Sequence, residues 1–217
     1  MKTLVIDVGG TNIKVLATGR RVPIKIESGP DLTPRAMLRA VRGATAKWTY
    51  DRVSIGAPGP VKNGRLLREP WNLGPGWVGF DFKKALGKPV RVINDAAMQA
   101  LGGYDGGKML FLGLGTGLGS TLICDGVIIP LELAHLPYRH GKTYEEYIGD
   151  AGYHRLGDGD WRRHVFTIVD LFVAALVVDY VVLGGGNARH MKRVPKYVRL
   201  GNNANAFRGG YRLWDDR

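Results

Sequence analysis

The segment Asp7-Val8-Gly9-Gly10-Thr11-Asn12-Ile13-Lys14 decides the fold that this sequence predicts. It joins two β-rich runs, Thr3–Val8 and Ile13–Thr18, through a tight turn with two adjacent glycines. Glycines and a threonine at such a turn let backbone N–H groups and a hydroxyl approach phosphate oxygens without a Cβ in the way. Asp7 can hold a hydrated Mg²⁺ beside the phosphates, and Lys14 adds positive charge. The alternative is a plain β-hairpin.

Two later stretches are also rich in glycine. Leu112–Ser120 alternates glycine with other residues between two predicted strands, which makes a poor hairpin unless its backbone must approach something closely. We therefore expect a second phosphate-binding turn there. The triple glycine Gly184-Gly185-Gly186 follows a predicted strand, Tyr180–Leu183, and opens a helix. It can pack on a base or ribose, or it can equally be a helix start on crowded backbone.

Polar residues follow two of the predicted strands. Asn94 and Asp95 directly follow the predicted strand Val90–Ile93 and start a helix. The dipole of that helix keeps the Asp95 carboxylate ionised. Asp95 is therefore a candidate general base for a substrate hydroxyl, with Asn94 bound to the same substrate; the alternative is an ordinary helix cap. Glu132 and His135 are candidates to bind neighbouring hydroxyls of a sugar, although a histidine beside an apolar strand is more often structural.

Composition limits the classes of protein to which the chain can belong. The 217 residues carry 31 Lys and Arg against 19 Asp and Glu, and eight of these bases lie in the tail Asn187–Arg217 beside only two acids. This tail is either a solvated surface or a region that attracts a polyanion.

One cysteine, Cys124, excludes a disulfide framework and a site of several thiolates. The sequence has neither an apolar run of membrane-spanning length nor a signal peptide, so we expect a cytoplasmic protein without a membrane partner.

The predicted elements form two similar halves of an α/β protein. Each half begins with strands around a glycine-rich turn and continues with helices and a further strand. We expect residues 1–104 to form a smaller lobe with the first turn and Asp95, and residues 105–217 to form a larger lobe with the second turn. The predicted helices are Thr33–Lys47, Phe80–Leu86, Asp95–Leu101, Thr143–Ile148, which begins with a capping box, and Trp161–Val178.

Taken together and in this order, these motifs resemble the ROK family of sugar kinases, which belongs to the actin-like ATPase superfamily. Gly56-Ala57-Pro58-Gly59-Pro60 and Trp71-Asn72-Leu73 also fall at the positions expected for that family. The resemblance covers about residues 3–190. Within the family, the segments Glu132–Tyr138 and Gly141–Gly149 are most similar to polyphosphate/ATP-glucokinases.

The resemblance implies a two-lobed actin-like ATPase (ribonuclease H-like) fold with mixed sheets flanked by helices. It also implies a hexose kinase that phosphorylates the 6-hydroxyl of glucose or mannose with polyphosphate and/or ATP and Mg²⁺, with Asp95 as the catalytic base. The residues implied to line the sugar are Gly59, Asn72, Asn94, Asp95, Glu132, His135 and Glu145. The residues implied to hold the phosphoryl donor are Asp7, Gly9, Gly10, Thr11, Asn12, Lys14, Gly115, Thr116, Gly117, Gly184, Gly185 and Gly186, with Asp7 binding Mg²⁺ through water.

Two features depart from the usual pattern of the family. Many members bind zinc through a histidine and three clustered cysteines, and a chain with Cys124 alone is expected to have no zinc site. The segment between Trp161 and Gly184 is short, which predicts a reduced adenosine pocket. The alternatives are a non-catalytic sugar or polyphosphate sensor that keeps the fold and, from charge alone, a nucleic-acid-binding protein, for which the sequence has no recognised motif. We expect a homodimer and no nucleic-acid partner.

Overall fold

The computed structural model describes residues 1–202 and 204–215. Asp216 and Arg217, which were counted with the basic tail, lie outside the described residues, as does Asn203. The described chain divides into two compact units, residues 1–98 with 206–215, and residues 99–202 with 204–205. This division differs from the expected one after residue 104, because the end of the chain belongs to the first unit.

Seven strands belong to the first unit, and five of them form a mixed sheet. They are β1 (Thr3–Val8), β2 (Asn12–Ala17), β3 (Ile24–Glu27), β4 (Arg52–Ala57), the short hairpin β5 (Val61–Lys62) and β6 (Arg65–Leu66), and β7 (Val90–Asn94). The sheet has the order β3-β2-β1-β4-β7, with antiparallel pairing among the first three strands and parallel pairing of β1 with β4 and of β4 with β7. Every residue of β1 is buried, as is typical of a central strand covered on both faces.

Three helices follow the predictions for the first half of the chain. They are α1 (Pro34–Ala44), α2 (Phe82–Leu86) and α3 (Asp95–Gly103), each with ends shifted by a few residues. Helix α1 begins after Thr33, whose hydroxyl oxygen accepts a hydrogen bond from the Ala36 N–H at 3.2 Å. Its apolar face joins the core of the unit through Met37 and Val41, which are both fully buried.

The second unit contains another five-stranded mixed sheet. Its strands are β8 (Lys108–Leu114), β9 (Leu118–Cys124), β10 (Val127–Leu131), β13 (Tyr180–Gly184) and β14 (Val198–Leu200), while β11 (Pro137–Arg139) and β12 (Lys142–Thr143) form a separate hairpin. The sheet order is β10-β9-β8-β13-β14, in which β13 runs parallel to β8 and to β14. The sequence predicts strands at Met109–Leu112, Ser120–Cys124, Val127–Ile129 and Tyr180–Leu183, which correspond to β8, β9, β10 and β13, whereas the hairpin and β14 were not predicted.

Two helices in the second unit follow one another directly. Helix α4 (Tyr144–Ile148) has the predicted capping box, in which Thr143 and Glu146 bond to each other's backbone N–H groups. The segment α5 (Asp150–Leu176) consists of two helical parts joined by a kink at Gly157, which has the non-helical angles φ 75° and ψ 168°. The predicted helix that starts at Trp161 corresponds to the second part, and the first part was not predicted. Three glycines at 152, 157 and 159 weaken the helical pattern before Trp161. Among the helices of residues 1–202 and 204–215, none combines the length and hydropathy needed to cross a bilayer.

A helix near the end of the chain was not predicted. Residues Ala204–Arg212 form α6, whose two glycines lower its intrinsic helix propensity. The Ser54 hydroxyl of β4 donates a hydrogen bond to the Gly210 carbonyl at 2.5 Å, and a Cβ added at Gly210 would lie only 2.3 Å from a Val5 methyl. Phe207 packs into the same buried cluster as Val5. Contacts with distant strands therefore stabilise this helix.

Candidate active site

The first glycine turn joins β1 to β2 and carries a buried carboxylate at its edge. Asp7 is 7% exposed and pairs in register with Lys14 across the two strands, with 3.8 Å between Oδ2 and Nζ. Burial raises the pKa of the Asp7 carboxyl, and the Lys14 charge opposes part of that increase. A carboxylate held in this way gains stability from a nearby cation.

The turn itself is held by backbone and hydroxyl bonds. The Gly9 N–H donates to the Asn12 carbonyl at 3.1 Å, and the Ser28 hydroxyl donates to the Gly9 carbonyl at 2.6 Å. The Ser28 N–H also donates to the Thr11 carbonyl at 3.1 Å. Ser28 lies just beyond β3, and the sequence analysis did not identify it as part of the site. Its contribution depends on β3 pairing with β2, which brings residue 28 beside the turn.

Asn72 lies against this turn. A Cβ added at Gly10 would be 3.1 Å from the Cβ of Asn72 and 3.4 Å from its Nδ2, so glycine allows the amide to approach closely. The structure therefore brings a residue predicted to bind the sugar next to a residue predicted to bind phosphate. Thr11, at the tip of the turn, is exposed.

The residues near Asp7 fit a magnesium ion held largely through water. Within the described part of the chain, no three His, Cys, Asp or Glu side chains come together in a group that could hold a metal ion. Mg²⁺ commonly takes one or two protein carboxylates and completes its shell with water and substrate phosphates. The Asp7 carboxylate beside the Gly9–Gly10 turn would provide the single protein ligand that such a hydrated ion needs.

Asn94 and Asp95 make different hydrogen bonds at the start of α3. The Asn94 Oδ1 accepts from the Ala97 N–H at 3.0 Å, while its Nδ2 donates to the Gly59 carbonyl at 3.0 Å. The capping bond thus comes from Asn94, and Asp95 follows it in the first turn, where its Oδ1 accepts from the Ala96 N–H at 2.9 Å. The Asn94 amide also holds Gly59, whose φ of +100° favours glycine. Three predicted site residues are brought together here.

Gly56 explains how α3 approaches the sheet so closely. A Cβ at Gly56 would lie 2.4 Å from the terminal methyl of Met98 and 3.4 Å from the Cα of Asp95. Glycine in β4 therefore makes room for the first turns of α3 and sets the position of Asp95 relative to the sheet. Within the motif Gly56–Pro60, Gly56 therefore allows close packing of α3. Gly59 contributes the carbonyl that accepts a hydrogen bond from the Asn94 amide.

The second glycine turn joins β8 to β9 and is bound by Glu145. The Glu145 Oε2 accepts from the Leu118 N–H at 2.9 Å, and a Cβ at Gly117 would lie 2.3 Å from the same oxygen. The Gly115 N–H donates to the carbonyls of Gly113 and Gly117, both at 3.1 Å. Glu145, predicted to bind the sugar, is therefore in direct contact with a turn predicted to bind phosphate.

The start of α5 and the triple glycine also meet this turn. The Asp150 N–H donates to the Gly115 carbonyl at 3.0 Å, and the Asn187 Nδ2 donates to the Asp150 Oδ1 at 3.1 Å. Gly185 has φ +80°, and its added Cβ would lie 2.5 Å from the Leu114 carbonyl oxygen. The predicted site omitted Asp150 and Asn187. The sequence could have indicated Asn187, because it directly follows the triple glycine and lies at the start of the 3-10 helix Gly186–His190.

Glu132 directly precedes a single 3-10 turn, Leu133–His135, and His135 is the last residue of that turn. The Ser120 hydroxyl anchors this turn to β9, because it donates to the Leu131 carbonyl at 2.9 Å and accepts from the Leu133 N–H at 3.1 Å. Both Glu132 and His135 are exposed. The structure thus presents the pair on an anchored turn in the second unit, and its role toward a sugar stays a prediction.

Comparison with known proteins places these features in a family context. The model of the ROK family matches residues 3–130. The polyphosphate glucokinase of Mycobacterium tuberculosis is 28% identical over 221 residues, which cover 91% of this chain and 81% of that protein. The N-acetylmannosamine kinase of Salmonella newport is 30% identical over 147 residues, which cover 59% of this chain and 50% of that protein.

Solved structures show the same fold. The inorganic polyphosphate/ATP-glucomannokinase from Arthrobacter sp. strain KM matches with a TM-score of 0.80 at 23% identity, covering 96% of each chain. A ROK family glucokinase from Streptomyces griseus, solved with glucose and AMPPNP, matches with a TM-score of 0.76 at 18% identity, covering 98% of this chain and 99% of that one. These matches confirm the predicted actin-like ATPase fold with mixed sheets and helices.

Proposed function

Because the chain belongs to the ROK family, we propose that it is a hexose kinase that phosphorylates the 6-hydroxyl of glucose or mannose. The donor in this proposal is inorganic polyphosphate, with or without ATP as a second donor. One observation carries the proposal: Asn94 makes the capping bond of α3, and the Asp95 carboxylate follows it in the first turn, where the helix N-terminus favours the ionised form.

In the proposed reaction, Asp95 accepts the proton of the sugar hydroxyl. The hydroxyl oxygen of the sugar attacks the terminal phosphorus of the donor at the same time. A new oxygen–phosphorus bond forms, and the bond between the terminal phosphoryl group and the rest of the donor breaks. Phosphoryl transfer depends chiefly on positioning and on stabilising the charge of the phosphoryl oxygens. The backbone N–H groups of Gly10, Thr116 and Gly117 would serve that purpose, because those of Gly9 and Gly115 donate to carbonyls of their own turns. Mg²⁺, held by Asp7 through water, would neutralise phosphate charge when bound.

The preference for polyphosphate is supported by two kinds of observation. Two of the similar proteins carry polyphosphate in their names. Arg189, Lys192 and Arg193 are exposed and lie in or directly after the 3-10 helix that follows the triple glycine. Cations at this place suit a donor that is a long polyanion. The predicted homodimer remains a prediction.

The test of the function is product formation across a matrix of glucose, mannose, N-acetylmannosamine and fructose against ATP and polyphosphate. We expect a 6-phosphosugar from glucose or mannose with polyphosphate. Binding of sugar without phosphorylated product from either donor would favour the alternative of a non-catalytic sensor. Product with ATP and none with polyphosphate at low salt would leave an ATP-dependent sugar kinase.

Neutralising the cations after the triple glycine is expected to weaken the use of polyphosphate. The triple variant Arg189→Gln, Lys192→Gln and Arg193→Gln should raise the KM for polyphosphate about 5- to 30-fold at low salt, with little change in the KM for sugar. The wild-type KM for polyphosphate should also rise steeply with salt, because a polyanion releases counterions when it binds cations. Steady-state kinetics at several salt concentrations measure both effects.

The control for this variant removes the same charge elsewhere. Arg20→Gln, Arg21→Gln and Lys47→Gln change three residues that are exposed and lie outside the tail Asn187–Arg217. Their KM for polyphosphate should stay near the wild-type value. An equal increase in both triple variants would show that net charge, and not this cluster, attracts the donor.

Glu132 and His135 are expected to act on the sugar side. Glu132→Ala or His135→Ala should raise the KM for sugar about 10- to 100-fold, as expected for a lost hydrogen bond to a charged or strongly polar group. The KM for the donor should change much less. His140→Asn serves as a control, because His140 is an exposed histidine of the same unit and asparagine tolerates its φ of +49°. A defect confined to donor affinity would place the pair with the phosphates.

A further inference from the structure

A basic groove lies between α1 and α2 of the first unit. It has a volume of about 670 Å³ and is lined by four cationic side chains, Arg35, Arg39, Arg42 and Lys84. The three arginines recur at spacings of four and three residues, which places them along one face of α1. All four are exposed, and none belongs to the glycine turns or to the Asn94–Asp95 pair.

The positive charge of the groove is not balanced within it. Its lining contains one carboxylate, Asp81, whose Oδ2 lies 3.7 Å from the Arg65 guanidinium and whose Oδ1 accepts from the Lys84 N–H. Arg65 does not line the groove, so it adds a further cation beside the only acid. Across residues 1–202 and 204–215, no ion pair joins any of the four lining cations to a carboxylate. The groove therefore favours an anionic ligand with several charges.

Part of the groove is arranged before any ligand arrives. The Arg42 guanidinium donates to the Ala85 carbonyl, so this side chain reaches from α1 to α2. A neighbouring recess of about 460 Å³ shares Asp81 and Lys84 with the groove and adds Lys83 and Lys88. Two adjoining depressions thus present cations along a continuous path, which suits a linear chain of charges better than a single compact anion.

We propose that this groove binds a segment of an inorganic polyphosphate chain, at a second site apart from the residues that hold the reacting phosphates. The groove's one aromatic ring, Phe80, packs edge-on against Phe82 with centroids 4.8 Å apart, and the lining contains neither tyrosine nor tryptophan. Single-stranded nucleic acids usually need aromatic faces on which their bases stack. A bare phosphate chain needs only charge. That the bound chain also serves as donor rests on the proposed function; the binding does not.

The experiment measures binding of the full chain to polyphosphate of long length, to tripolyphosphate and to single-stranded DNA of matched charge. Arg35→Gln with Arg39→Gln should weaken binding of long polyphosphate about 3- to 30-fold at low salt and reduce the salt slope by about two. Tripolyphosphate should be affected much less, because it carries far fewer charges and releases fewer counterions when it binds. The kcat with ATP should not change.

Arg20→Gln with Arg21→Gln is the matched control, because both arginines are exposed residues of the first unit that neither line the groove nor belong to the basic tail. The proposal is overturned if the groove variant binds long polyphosphate as tightly as this control does. It is also overturned if matched DNA binds as tightly as polyphosphate and with the same dependence on Arg35 and Arg39. If the chain makes no product from polyphosphate but the groove variant still loses binding, the groove proposal stands and the donor proposal fails. Equal melting temperatures of the variants establish that the groove substitutions leave the fold intact.

Discussion

Asp95→Asn is expected to lower kcat for sugar phosphorylation about 10²–10⁴-fold while leaving sugar binding nearly unchanged. The amide keeps the shape of the side chain and can still accept from the Ala96 N–H, but it cannot take the proton of the sugar hydroxyl. Helix α3 should remain intact, because Asn94 provides its capping bond. Kinetics at saturating sugar measure the loss of rate, and a direct sugar titration measures binding.

Asp51→Asn is the matched control for this variant. Asp51 is an exposed carboxylate of the same unit that also accepts a backbone N–H bond, from Lys2 at 2.6 Å. Its replacement should leave turnover within about twofold of wild type. If Asp95→Asn retained turnover within about threefold of wild type, the carboxylate would have a structural role at the start of α3 and another group would be the base.

Asp7→Asn is expected to lower kcat about 10²–10³-fold without lowering the melting temperature at pH 7. The substitution removes the carboxylate proposed to hold hydrated Mg²⁺ beside the donor phosphates. It also removes a buried charge whose only ion-pair partner among the described residues is Lys14, at 3.8 Å. A buried charge that is incompletely paired lowers stability, whereas the neutral amide avoids that cost. Activity assays across Mg²⁺ concentrations and thermal unfolding measure the two effects.

The pH dependence gives this prediction a definite sign. Burial raises the pKa of Asp7 in the folded protein above its ordinary value of 3.8. The folded chain therefore holds this proton more tightly than the unfolded chain, and stability from this group falls as pH rises from 3.8 through the raised value. Asparagine does not titrate, so the stability of Asp7→Asn relative to wild type should increase over that range. A relative stability that instead decreased with pH would show that the folded protein stabilises the ionised carboxylate.

Local sequence signals predicted much of the candidate site. The glycines at 9 and 10, the Asn94–Asp95 pair and the Thr143–Glu146 capping box all act within a few residues of the chain, so their patterns indicate the turns and helix starts found in the structure. The prediction found the part of α5 that follows the kink at Gly157 and omitted the part before it, because the glycines at 152, 157 and 159 weaken the helical pattern there. The ordinary helix cap, which was the alternative role considered for Asp95, is provided by Asn94, whose Oδ1 accepts from the Ala97 N–H.

The sequence by itself determined the glycine turns, the central strands and the candidate base, because each depends on backbone conformation or hydrophobicity over a short segment. Only the tertiary structure decided which distant groups support them. Ser28 reaches the Gly9 carbonyl through the pairing of β3 with β2, Glu145 crosses 27 residues of sequence to bind the Leu118 N–H, and Ser54 binds a carbonyl of α6 that lies 156 residues away. A hydrogen bond of this kind forms only after packing has brought its donor and acceptor within about 3 Å, and no local pattern encodes that distance.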